Sequence, residues 1–155
     1  MARVLCALFV AFVSLPQAAA GQAAQPASVQ QEILNYQLTL ARANQLITAM
    51  EAMTNYVVSL PDFQERMAKT MKMTPAERRA QVENDPKAIA ILKQNNLTLQ
   101  DYLVGVPALR MALMAAQGVK APNVVASPAN LAFAKAHFAE LKPKMDAADG
   151  MTARK

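Results

Sequence analysis

Methionine pairs and a single histidine are the residues in this sequence whose types and spacing could support chemistry. Ten of the 155 residues are Met. Met50 and Met53 stand three residues apart on one predicted helix, so they share a face. Met111 and Met114 repeat that spacing on another helix. Thioether sulfur binds Cu(I), which makes these four residues, with His137, a candidate copper site. A histidine and methionine pair could alternatively hold a haem iron.

The sequence favours a simpler interpretation of these methionines. Met50 falls within the apolar stripe of its helix, where a flexible thioether side chain fills the core. Met67, Met71 and Met73 cluster near the end of another predicted helix. Core filling or an adaptable apolar surface accounts for both groups. We therefore predict no bound cofactor and keep metal binding as the alternative.

Arg110 is the charged residue with the most informative position. On a regular helix it projects between Val106 and Leu113, inside an apolar stripe. A buried guanidinium needs a partner, since an unpaired buried charge costs several kcal/mol. The structural interpretation is a salt bridge or carbonyl contact with another helix, or exposure if Pro107 changes the phase of its helix. The functional alternative is an anion-recognition site in a helical groove.

No enzyme motif is present in the sequence. Ser127 and His137 are ten residues apart, about 15 Å along one helix, which is too far for a nucleophile and its base. The sequence contains neither a G-x-S-x-G motif nor a glycine-rich phosphate loop. One Cys and one His exclude an internal disulfide framework and the usual zinc sites. We predict a non-enzymatic protein.

The first 20 residues have the features of a cleavable signal peptide. Arg3 supplies the positive charge, 4–15 form an uncharged apolar run, and 18–20 are Ala-Ala-Ala. A run of 12 residues spans about 18 Å as a helix, which is too short to cross a bilayer. We therefore expect an exported protein, periplasmic or secreted, that begins at Gly21 and has no stable transmembrane span.

The charge distribution argues against a nucleic-acid partner. The net charge is +5 and falls to +4 when Arg3 leaves with the signal peptide. The basic residues are scattered, and aromatic residues are not interleaved with them. The densest group, Lys69, Lys72, Arg78 and Arg79, is typical of a solvated face. Weak contact with an anionic membrane or cell-wall polymer is the alternative.

The periodicity of the apolar residues predicts an all-α protein with a single compact, bundle-like domain of five or six helices over 39–148. Residues 21–38 form a predicted mobile segment, and 149–155 form a tail. Helix 99–117 is apolar almost all round, so its own chain or a second copy must cover it, and the oligomeric state stays open. Pro107 predicts a kink or break within that helix. The predicted helices are 39–60, 61–72, one starting at 75, one from 86 to about 94, 99–117, and one from 128 to about 141.

Several capping segments resemble those of a group of exported bacterial α-helical proteins with no assigned function. The matching segments are Leu38-Thr39-Leu40, Asp85-Pro86, Leu97-Thr98-Leu99, and Pro128-Ala129-Asn130 through His137. This resemblance implies a helical fold and export. A second similarity, through Met73-Thr74-Pro75-Ala76-Glu77 and Leu97-Thr98-Leu99-Gln100-Asp101, is to the periplasmic stress chaperones with Leu-Thr-x-x-Gln motifs, although neither segment ends in Gln.

The leading functional hypothesis is a non-enzymatic, exported helical protein that binds envelope proteins or chaperone clients through an apolar groove. Methionine-rich surfaces adapt to many partners, which suits this role. The alternative is a carrier of an apolar small ligand or of copper.

Overall fold

The computed structural model describes residues 29–150. They form seven α-helices and no strand, so the predicted all-α fold is confirmed. The predicted signal peptide 1–20, residues 21–28 of the predicted mobile segment and residues 151–155 of the predicted tail 149–155 lie outside the described residues. The helices are α1 (Val29–Asn35), α2 (Leu40–Val58), α3 (Phe63–Lys72), α4 (Pro75–Glu83), α5 (Pro86–Gln94), α6 (Leu99–Ala116) and α7 (Pro128–Ala148).

Side-chain caps fix where most of these helices begin, as the sequence predicts. The Thr98 hydroxyl of α6 accepts from the Asp101 amide, and the Asp101 carboxylate accepts from the Thr98 amide in return. Thr74 and Glu77 form the same capping box at α4. The remaining caps are Thr39 for α2, Asp85 for α5 and Ser127 for α7.

Two prolines lie within helices without ending them. α6 continues through Pro107, so no break occurs there, and α7 continues through Pro143 to Ala148 instead of ending near Leu141. An internal proline costs about 3 kcal/mol. Burial of a Leu or Met side chain stabilises the fold by about 1.5–3 kcal/mol. Leu141 and Met145, buried on either side of Pro143, therefore offset its cost.

The core forms around α6. This helix packs most extensively against α7 and also contacts α1 and α2, so its own chain covers most of its apolar surface. No helix between residues 29 and 150 combines the length and apolar character that a membrane crossing requires. The largest fully buried side chains are Leu46, Leu92, Leu109, Leu113 and Leu141.

The seventh helix, α1, lies in the segment that the sequence predicts to be mobile. It packs against α6, and two hydrogen bonds hold the chain that follows it. The Leu38 amide donates to Oδ1 of Asn130 at 3.1 Å, and Nδ2 of Asn130 donates to the Tyr36 carbonyl at 2.7 Å. A β-carbon on Gly105 would lie 2.9 Å from the side chains of Tyr36 and Leu46, so a larger residue there would require one of these side chains to shift.

Candidate binding groove at α3

Helix α3 is the most weakly packed of the larger elements. It has no buried residue and takes part in none of the extensive helix–helix contacts of residues 29–150. Phe63, Met67 and Met71 recur every four residues and therefore line one side of the helix. Lys69 and Lys72 lie on the other side. The result is an amphipathic helix whose apolar side is only partly covered.

A cavity of about 770 Å³ separates α3 from α2 and from the end of α7. Its lining includes five large apolar side chains, which together we call the methionine groove: Met53, Val57, Val58, Phe63 and Met67. Met53 is only 9% exposed and forms a floor, whereas Met67 is 46% and Val58 55% exposed. The groove therefore presents large apolar side chains to solvent above a buried base.

A second cavity, of about 180 Å³, adjoins the methionine groove and lies between α3, α2, α4 and α5. It shares Met53, Val57 and Met67 with the methionine groove, so Met67 contributes to both cavities. The Tyr56 hydroxyl donates to the Asp85 carboxylate at 3.0 Å, and this hydrogen bond raises the pKa of Tyr56. The second cavity is thus smaller than the methionine groove, and Tyr56 and Asp85 form a polar part of its wall.

The residues of the predicted copper site occupy different environments. Met50 and Met53 belong to the buried core, while Met111 and Met114 are half-buried on α6. His137 is half-buried on α7, where its ring packs against Phe133 with centroids 4.9 Å apart.

The surroundings of Met50 oppose cation binding at its sulfur. A guanidinium nitrogen of Arg110 lies 3.8 Å from Sδ, and its positive charge repels a metal ion. Residues 29–150 contain no cluster of three His, Cys, Asp or Glu side chains suited to a metal. Copper binding by methionine stays a prediction.

Arg110 forms a salt bridge with Asp149, the residue that caps the C-terminus of α7. The Arg110 side chain is 47% exposed, so it lies at the edge of the apolar stripe rather than inside it. Nearby, burial raises the pKa of Tyr102 to about 12, an effect that Arg110 opposes and Asp149 reinforces. Arg110 thus makes the salt bridge with the C-cap residue of another helix that its position in the sequence predicts.

The methionine groove is lined in part by Val58 and Phe63, which are not among the site residues predicted from the sequence. Val58 lies at the last position of α2, and Phe63 begins α3. The spacing of Phe63, Met67 and Met71 was the available signal. This spacing identifies the apolar side of α3. It does not show which helices face that side or how much of it they cover.

The fold and the groove together define the class: an all-α, bundle-like protein with a partly exposed apolar groove. Comparisons with protein-family models, with curated proteins and with solved structures found no match to this chain. The resemblances given by the capping segments therefore stay predictions.

Proposed function

We propose that this chain is an exported, non-enzymatic binding protein that holds apolar segments of partly unfolded polypeptides in the methionine groove. Such a role is chaperone-like and belongs to the cell envelope. The observation that carries the proposal is the position of Met67, which is half-exposed above the buried Met53 and contributes to both cavities beside α3.

The chemistry of the groove supports a partner with an apolar, variable sequence. Exposed methionines such as Met67 adjust their rotamers to different partners because the thioether chain is unbranched and polarizable. The volume of about 770 Å³ falls in the range typical of ligand sites. Since α3 buries no residue, it can shift with little loss of packing to admit side chains of different size.

Met67→Lys tests the proposal with little effect on the helix, because Lys and Met have similar helix propensities. Burying a whole Met side chain contributes about 1.5–3 kcal/mol. In Met67→Lys the complex loses the burial of the exposed half of the Met67 side chain and must also desolvate an ammonium group. Together these effects weaken binding by about 1–2 kcal/mol. We expect a 5- to 30-fold increase in Kd for reduced, carboxymethylated α-lactalbumin, a permanently unfolded probe, measured by fluorescence anisotropy.

Matched controls separate the groove from general surface hydrophobicity. Met71→Lys changes an 83% exposed methionine of the same helix that does not line the groove. Val58→Lys changes a valine inside the groove, and Val125→Lys is its control outside the groove. Both valines are exposed, Val58 to 55% and Val125 to 37%, so the two substitutions are comparable. We expect Met67→Lys and Val58→Lys to weaken binding and the other two to leave it within twofold. Equal losses in all four variants, or no binding by the wild-type chain, would refute the proposal.

A further inference from the structure

A second apolar groove lies on another side of the molecule, between α1, α4 and α6. Its volume is about 510 Å³. The floor is formed by Ile33 of α1 and by Leu103, Val104 and Pro107 of α6, and Val29, 58% exposed, stands at one end. None of the residues of the methionine groove contributes to it.

The rim of this second groove is polar and carries two arginines, Arg78 and Arg79. Nη1 of Arg79 donates to Oε1 of Gln100 at 2.6 Å, and Nε2 of Gln100 donates to the Glu32 carboxylate. These contacts connect α4, α6 and α1 across the groove. The Glu32 carboxylate thus accepts a hydrogen bond from Gln100. Arg79 uses one of its five N–H groups in these contacts, which leaves four for other acceptors.

Arg78 differs from Arg79 because its guanidinium makes no hydrogen bond or ion pair with any residue from 29 to 150. An arginine presents a planar array of donors that matches the two oxygens of a carboxylate. The groove therefore combines an apolar floor with a cationic mouth in which one guanidinium is available.

We propose that this groove binds a medium-length, single-chain fatty acid, with the carboxylate at Arg78 and the acyl chain along Leu103, Val104 and Pro107. The floor follows α6 from Gln100 to Pro107, a distance of about 10 Å at 1.5 Å per residue. That length suits one short acyl chain, such as that of octanoate. The excess of positive charge at the rim favours an anionic head group over a neutral or cationic one.

The test is isothermal titration calorimetry of residues 21–155 with octanoate, below the concentration at which octanoate forms micelles. We expect one site per chain. Octanol and octylammonium, which have the same number of carbons with a neutral or a cationic head group, should bind at least tenfold more weakly. Equal binding of octylammonium and octanoate would overturn the assignment of the carboxylate to Arg78.

Substitutions then locate the site and separate it from the methionine groove. Arg78→Gln should raise the Kd for octanoate about tenfold, whereas Lys93→Gln, which removes an exposed cation of α5, should leave it unchanged. Met67→Lys should also leave octanoate binding unchanged, so this inference can fail or succeed independently of polypeptide binding. An unchanged Kd for Arg78→Gln, or no heat of binding in the wild-type chain, would refute the inference.

Discussion

Replacing Asn130 by alanine should destabilise the protein by about 2–4 kcal/mol. Asn130 is 3% exposed and is the buried polar side chain of residues 29–150. It accepts from the Leu38 amide and donates to the Tyr36 carbonyl, so alanine leaves both backbone groups without their partner. Each unsatisfied buried group costs about 1–3 kcal/mol, and the half-buried position of Tyr36 favours the lower end for its carbonyl.

Urea unfolding followed by circular dichroism measures this effect. With an m value of about 2 kcal/mol/M, the midpoint for Asn130→Ala should fall by about 1–2 M. Asn123→Ala, at an exposed position in the loop before α7, is the matched control and should change stability by less than about 0.5 kcal/mol. A loss below 0.5 kcal/mol for Asn130→Ala would refute the conclusion that this side chain anchors the segment between α1 and α2.

Three further predictions concern the α6 cap, Arg110 and export. Burial opposes ionisation of Asp101, but hydrogen bonds from Thr98 lower the pKa of this carboxyl below the ordinary 3.8. The stability that the ionised carboxylate contributes is therefore lost as pH falls through its folded-state pKa, and Asp101→Asn should flatten the acid side of a plot of Tm against pH. Arg110→Gln should cost less than about 1 kcal/mol in urea unfolding, because its salt bridge with Asp149 is half-exposed; a loss above 2 kcal/mol would show a buried role. The intact mass of the exported chain should correspond to a start at Gly21, and a retained leader would contradict cleavage.

The capping residues made most of the fold predictable from the sequence. Thr39, Thr74, Asp85, Thr98 and Ser127 each begin a helix where the side chain can accept from a free amide of the first turn. These are local interactions between residues two or three positions apart, so a single sequence contains the information they need.

Features that depend on distant contacts were not predictable in this way. α1 packs against α6, and the segment that follows α1 is held by Asn130, which lies more than 90 residues away. α7 continues past Pro143 because Met145 and Ala148 are buried against the core. The methionine groove likewise requires α3 to lie beside α2 and the end of α7, and no local pattern specifies that arrangement.

The most direct test of polypeptide binding is NMR of residues 21–155 with carbon-13 in the methionine methyl groups, titrated with reduced, carboxymethylated α-lactalbumin. The resonances of Met53 and Met67 should shift or broaden, while those of Met111 and Met114, outside the groove, should not. Substitution to leucine assigns each resonance. Perturbation of Met111 and Met114 without Met67, or of no methionine at all, would contradict binding in the methionine groove.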